Sequence, residues 1–512
     1  MAATEKSHMI QVFTEPPEWG RSKRYIWVER QNFYCADKPR GRRKGNKAAN
    51  EPYLILGFDT EYKSPSTAVS REAIREGNAK YKVLSYQFHA KMSSGEEWTG
   101  ICCPDNDERL SIAEFLIFAL GLGVHDFDVK NIPTRIFLIG HFTRADIPAF
   151  ADFKEHKQYI SNVRNTFLST DASLPVKIRD GNGDLIEIDV FIRDTMLLTP
   201  QSSKSLKELG ALVGQPKIML DPDPKIHHEK IQRMDQIRQN EWELFKQYAI
   251  NDATICVRYI ERIIDLYQAV TGNLKIPITL TSIGVDLLQL SWESNFDKSP
   301  EYIVGREVVK ERIFDKNLGY FRNQSNVVTL EKLSWDLDFI TESYHGGRNE
   351  QFWFGPGFKD NWFDWDLSSA YPTAMSMIGM PLWEQMGPLF DLKNISPTDL
   401  SFVCVDFQFP KNTRYPTLPV RTENGLIFPL SGRSYCASPE VAVAQSLGCK
   451  LKLIRGVTVP VDKSRAIFGE FIKQCIAKRI EAGSKSLTGL FWKELSNSTY
   501  GKTAQVLIST EN

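Results

Sequence analysis

The chain has 512 residues with 63 basic and 63 acidic side chains, 42% hydrophobic and 25% charged residues. That length accommodates two to four domains with separate cores, and the composition excludes a disordered or fibrous protein. No apolar run is long enough to span a membrane, and the start MAATEKSHMIQVFTEPPEW has no apolar signal core, so a cytoplasmic protein with no membrane partner is expected. The eight cysteines form no CxxC or Cys/His cluster, and are read as reduced thiols.

Zero net charge conceals a basic start. Residues 1–50 carry 11 Lys and Arg against 5 Asp and Glu, concentrated in Lys38-Pro-Arg40-Gly-Arg42-Arg43-Lys44, where a solvated loop and a nucleic-acid contact both remain open. Next, Tyr53-Leu-Ile-Leu-Gly-Phe58 predicts a buried strand that ends in Asp59-Thr60-Glu61. Carboxylates at i and i+2 share one side of an extended chain, so both can reach one metal pair. Strands are predicted at Val83–Phe88 and Trp98–Cys102, then a helix over about 107–121, together an α/β layer.

Arg135–Gly140 predicts another buried strand, opening at His141-Phe142-Thr143-Arg144-Ala145-Asp146. Asp146 at the start of a helix suits either a metal ligand or a helix cap. A strand over Leu185–Ile192 and a helix over Ser205–Val213 follow, and Pro222, Pro224 and His227-His228 predict a surface loop. A long amphipathic helix is expected from about Asn240 to Tyr267, with Tyr248 and Asp252 at i and i+4 on one side and Leu244, Ile255 and Ile263 in its buried stripe. Asp252 is then expected at the rim of the core.

In this order, DxE, an aromatic loop ending in Asp, and YxxxD resemble the Exo I, II and III motifs of DEDD 3′–5′ exonucleases, as they occur in the proofreading domain of family B DNA polymerases. The resemblance implies an RNase H-like domain in which Asp59, Glu61, Asp146 and Asp252 hold two Mg²⁺ ions (Mn²⁺ being an alternative), about 4 Å apart in sites of this kind. It implies that Tyr248 orients the attacking water and that Thr60 and Phe142 contact the primer end. The second motif of the family begins with Asn, and here His141 stands in its place.

From Lys275 to Glu342 the sequence reads as a connection with an accessory part. Tyr344-His-Gly346-Gly347-Arg348 follows, where two glycines permit close backbone approach to a phosphate that Arg348 can contact, with a plain Gly-Gly turn as the alternative. In Asn361–Thr373, reading NWFDWDLSSAYPT, strand formers Trp362, Phe363 and Trp365 predict a strand delivering Asp366 to its end, then a turn into a helix. A carboxylate there holds a metal or caps the helix. The region 380–461, rich in proline and aromatics, reads as short strands and loops. Helices are expected over about Lys463–Ala482 and through Lys493, Asn497 and Tyr500, which share one helix face while Phe491 and Leu495 point into a core.

DxxSxYP and KxxxNSxYG resemble motifs A and B of family B DNA polymerases, although Ala370 replaces the usual Leu before Tyr371. Tyr344–Arg348 resembles the YxGG element of protein-primed members, a DNA contact. The resemblance implies Asp366 as a metal ligand, Tyr371 as the residue that excludes a ribose 2′-OH, and Arg479, Lys485, Lys493, Asn497 and Tyr500 as nucleotide contacts. A solvated basic face is the other reading of Arg479 and Lys485. An insertion at 380–461 suits the protein-primed branch or its primer-independent relatives.

No DTD occurs among these residues, so motif C is missing from the expected set, and synthesis by this chain alone is not expected. The resulting expectation is α/β and α+β architecture, an RNase H-like exonuclease domain followed by an incomplete polymerase palm and helical fingers. Its divisions are a basic extension (1–50), exonuclease (51–272), connection (273–350), palm with motif A (351–462) and fingers with motif B (463–512). The expected function is DNA replication by a family B polymerase with proofreading, acting on DNA and dNTP, with a separate carboxy-terminal fragment or a terminal protein as a further partner. The alternative is a stand-alone 3′–5′ exonuclease with a degenerate, DNA-binding palm.

Overall fold

Seven strands make the first sheet: β1 (Arg24–Gln31), β2 (Tyr53–Lys63), β3 (Lys82–Met92), β4 (Glu97–Pro104), β5 (Arg135–Gly140), β6 (Leu174–Arg179) and β7 (Leu185–Asp194). Their order is β1-β4-β3-β2-β5-β7-β6, with β5 parallel to both β2 and β7 and the remaining pairs antiparallel. This computed structural model describes residues 24–31, 52–63, 82–104, 109–120, 133–163, 166–179, 185–200, 204–315, 319–367, 369–423 and 425–508. The Lys38–Lys44 run and Ser368 lie outside them.

β2 is buried from Tyr53 to Phe58 because both faces of the sheet are covered, which is why its sequence is continuously apolar rather than alternating. On one face Phe58, Tyr86 and Phe88 pack with Phe115 of helix α1 (Ile112–Ala119) and with Phe150. Against the sheet lies a helix of 30 residues, Trp242–Thr271, preceded by α2 (Thr143–Asp146), α3 (Leu206–Val213) and α4 (Pro224–Ile231), and hence α5. It ends where Gly272 adopts a left-handed conformation, φ 70°.

Two local expectations are corrected. The stretch expected as a surface loop is helix α4, because Asp223 caps the Lys225 amide and Pro224 occupies the first turn, where its missing N–H costs nothing. Asp146 closes the four-residue helix α2 instead of opening a helix, since Ile147-Pro148-Ala149 tightens at once into a 3₁₀ turn.

By contact density the chain forms two units, one of residues 1–283 with 485–491, the other of 284–484 with 492–512. The second unit contains most of α6 (Leu280–Asn295), a hairpin of β8 (Arg306–Asp315) and β9 (Tyr320–Thr329), α7 (Glu331–Glu342) and α8 (Ala370–Ser376). The region expected as short strands and loops includes a four-stranded antiparallel sheet built on β10 (Leu400–Gln408), β11 (Ser431–Ala437) and β12 (Lys450–Val459), with Gly387–Pro388 as its edge. Alternation along β10 explains it: Val403, Val405 and Phe407 enter one core with the helix at Ser438–Ser446, while Phe402 and Cys404 enter another with Leu333, Phe339 and Ile340 of α7. Two helices follow, α9 (Gly469–Ala482) and α10 (Leu487–Ile508). The first starts six residues later than expected because Val461–Ala466 pairs as a strand with Gly379–Pro381.

Candidate active site

Strand β2 carries Asp59, Thr60 and Glu61 to its carboxyl end, and α5 brings Tyr248 and Asp252 against the same strand. Gly57 permits this approach: a Cβ there would lie 2.4 Å from the Ala253 carbonyl oxygen and 2.7 Å from a Val257 methyl. The strand and helix backbones thus meet at Ala253, the residue next to Asp252. Asp252 is 5% exposed, well inside the expected rim.

Three of the four carboxylates are held by hydrogen bonds, two of them from residues outside the expected motifs. Gln87 on β3, fully buried, donates to Asp59 at 2.8 Å and is itself held by the Ser85 hydroxyl at 2.9 Å. The Thr60 hydroxyl donates to Asp146 at 2.5 Å. Lys217 donates to one oxygen of Asp252 at 2.5 Å and lies over the Tyr248 ring, 5.1 Å from its centroid. Asn251 locks the Lys217 loop to α5, accepting from Gln215 at 2.5 Å and donating to the Pro216 carbonyl at 3.1 Å.

The electrostatics are those of too much negative charge in too little water. Burial, then the charge of Asp252, pushes Asp59 up to about 7, and burial together with Asp59 and Asp252 holds Glu61 well above the usual carboxylate range. Asp146 is raised by burial and by Asp59, while burial raises Asp252 against the opposing pull of Lys217. Burial disfavours the Lys217 ammonium, but the charges of Asp252, Tyr248 and Asp59 outweigh it and hold the lysine above its ordinary range. Burial, followed by the negative charge of Glu61, raises the Tyr248 phenol.

The donor set fits a divalent cation. The second oxygen of Asp252 is buried with no hydrogen-bond partner, and carboxylates raised by burial and by one another's charge are relieved by a positive ion. Among the described residues no group of three His, Cys, Asp or Glu side chains is placed to hold a metal ion as the side chains stand.

Asp194 was not picked out in the sequence, yet it is fully buried and organises the turn after β5. It accepts from the amides of Phe142 (3.1 Å) and Thr143 (2.7 Å), from the Thr143 hydroxyl (2.8 Å) and from the Met196 amide (2.9 Å). These bonds hold Phe142 at φ 65°, a left-handed conformation unusual for a bulky residue, with its ring 40% exposed. His141 is fixed by the Thr195 hydroxyl at 2.8 Å, and burial, then Lys217, pushes it down to about 4, so the ring is neutral. An Asp just past a predicted strand was the only sequence signal for Asp194; Lys217 and Gln87 had none.

In the second unit the structure gathers four expected residues. Tyr371 of α8 stacks on Tyr500 of α10 with centroids 4.4 Å apart and planes at 22°. A Cβ on Gly347 would come 2.7 Å from the Tyr371 hydroxyl, and burial, then Tyr344 and Tyr371, raises the Tyr500 phenol. Lys493 and Asn497 share α10 with Tyr500, while Phe491 and Leu495 are buried as expected. Gly346 has open space around its Cα.

Other residues are placed differently. Arg348 is engaged internally, paired with Glu350, donating to the Pro416 carbonyl at 2.7 Å and lying 4.1 Å from the Phe428 ring centroid. Arg479 is on the last turn of α9, and Lys485 groups with the first unit. The strand expected before Asp366 does not form: residues 361–367 pair with no strand among those described, and Asp366 is exposed. Trp365 and Leu367 are 89% and 77% exposed, so the apolar side chains that favoured a strand have no sheet face to pack on.

The family model described as DNA polymerase type B, organellar and viral, matches residues 221–512. The primer-independent DNA polymerase PolB of Escherichia coli is 29% identical over 502 residues, which cover 92% of this chain and 55% of that protein; the chain thus spans about half the length of the curated relative it matches. Among solved structures, phi29 DNA polymerase complexed with primer-template DNA and incoming nucleotide substrates aligns with a TM-score of 0.49 at 14% identity, over 88% of this chain and 68% of that one. Phi29 DNA polymerase complexed with single-stranded DNA aligns with a TM-score of 0.47 at 13% identity, over the same shares. Because the family match spans more than half of the chain, the protein belongs to the type B DNA polymerases of the organellar and viral family.

Proposed function

We propose that the chain carries a 3′–5′ exonuclease, in an RNase H-like first unit, that proofreads for a family B polymerase in DNA replication, with DNA and dNTP as substrates in the cytoplasm. The observation that carries the nuclease reading is the buried Asp252, with one oxygen on Lys217, the other unpartnered, and its charge raising Asp59. Asp59, Glu61, Asp146 and Asp252 would hold Mg²⁺, which when bound supplies an activated water and charge neutralisation at the leaving oxygen.

The chain's own residues do the positioning. Gln87 orients Asp59, Thr60 orients Asp146, and Lys217 orients Asp252. Tyr248 is held under the Lys217 ammonium, placing its phenol for a hydrogen bond to the attacking water. The exposed ring of Phe142 offers a stacking surface for the terminal base. In the polymerase part, the Tyr371–Tyr500 stack forms a wall for the sugar of an incoming nucleotide, Lys493 supplies charge for its phosphates, and Asp366 is the metal ligand of motif A. The alternative, a nuclease with a DNA-binding palm, is favoured by one feature, the unpaired segment around Asp366.

The test is Mg²⁺-dependent degradation of single-stranded 3′ ends by the purified chain. Asp59→Ala with Glu61→Ala is expected to abolish it at unchanged circular dichroism. Degradation by that variant at the parental rate would overturn the reading. No helix among the described residues is long and apolar enough to cross a membrane.

A further inference from the structure

The β8–β9 hairpin is a two-stranded sheet of its own, ten residues per strand in uninterrupted antiparallel register from Arg306↔Thr329 to Asp315↔Tyr320. A free ribbon of this kind is marginal in water, and this one leaves Val308, Phe314, Phe321 and Val327 each about half exposed, at 47%, 49%, 54% and 52%. Among the described side chains its acidic residues are confined to one face. Alternation puts Arg306, Lys310 and Arg312 on one side, with Phe314 and Phe321 at the far end and no acidic residue on either strand. Glu307 and Glu311 are on the opposite side together with Arg322, and there Glu311 accepts from Asn326 at 3.2 Å.

The cationic side is preorganised. Arg312 lies 5.1 Å from the Phe321 ring centroid, and Phe321 meets Phe314 edge to face at 5.1 Å. Lys310 and Arg312 are two residues apart, about 7 Å along a strand. A row of cations that ends in exposed aromatic rings offers charge to phosphates and a π-face to bases, and the absence of carboxylates on that side removes the repulsion a polyanion would meet.

We propose that this face of the β8–β9 ribbon binds single-stranded DNA, with the backbone along Lys310 and Arg312 and a base against Phe314 and Phe321. The surface uses none of the residues of the carboxylate site and needs no metal.

The experiment therefore uses the full chain in EDTA, with a labelled oligo(dT) of about 20 nucleotides followed by fluorescence anisotropy over a series of KCl concentrations. Lys310→Gln with Arg312→Gln is expected to flatten the slope of log affinity against log salt by about 1.4, the value for two phosphate contacts on a single strand. Phe314→Ala with Phe321→Ala is expected to weaken binding about fivefold or more at an unchanged slope. Glu307→Gln with Glu311→Gln on the opposite face is expected to leave the affinity within about twofold, the range of a surface charge change. Because these side chains are exposed, all three variants are expected to melt with the parent. Parental slope and affinity in both of the first two variants would overturn the proposal, as would a loss confined to duplex DNA, which would mark a ribbon that enters a groove. Since nuclease turnover is not read, failure here leaves the exonuclease reading standing.

Discussion

The Lys217 ammonium lies 2.5 Å from one oxygen of Asp252, whose other oxygen is buried without a partner. One cation therefore compensates half of a carboxylate that burial alone would protonate. Lys217→Met is expected to raise the Asp252 pKa further, reduce nuclease activity about 100-fold, and move the acid limb of the pH–rate profile upward. A profile unmoved in pH, with activity merely scaled, would assign Lys217 to general stability.

Asp59 is held up to about 7 against an ordinary 3.8, so the folded protein keeps a proton that the unfolded chain releases. Stability from this proton is complete below about pH 4 and is lost as pH rises to about 7; the raised Glu61 and Asp146 carry the same sign. In metal-free buffer the melting temperature is expected to fall across that window, and Asp59→Asn to flatten the fall. Added Mg²⁺ is expected to restore stability most at the alkaline end, where the carboxylates are charged. Calorimetry at a series of pH values reads all three.

Gly57→Ala would drive a methyl into the Ala253 carbonyl, a backbone atom that cannot rotate away. The expected cost is about 2 kcal/mol or more of stability, with a loss of nuclease activity larger than the melting shift accounts for, because β2 and α5 separate between Asp59 and Asp252. Activity measured well below the melting temperature separates the two effects.

Gly347→Ala is expected to destabilise the second unit by about 1 kcal/mol or less, since the new Cβ meets, at 2.7 Å, only the hydroxyl at the far end of the Tyr371 side chain. Tyr371→Phe in the same chain removes the clashing atom and is expected to return most of that loss. A double-mutant cycle in thermal melts gives the coupling directly, and additive losses would show that the two residues do not share the space. In a primer-extension assay reconstituted with a carboxy-terminal fragment, Tyr371→Ala is expected to raise ribonucleotide incorporation while leaving nuclease activity intact.

Local pattern determined a definite part of this protein. The apolar run before Asp59, the i,i+2 spacing of Asp59 and Glu61, the i,i+4 spacing of Tyr248 and Asp252, and the shared helix face of Lys493, Asn497 and Tyr500 all follow from strand and helix periods, which need no knowledge of the rest of the chain. Tertiary structure alone decided which side chains serve those residues. Lys217 and Gln87 are 35 and 28 positions away from the carboxylates they hold, and Asp194 reaches back 52 positions to fix Phe142, distances at which no periodicity operates. It also decided where a strand-like sequence becomes a strand. Residues 361–367 have the composition of one, but a strand is stabilised by a partner's hydrogen bonds and a face to cover, and among the described residues that segment has neither.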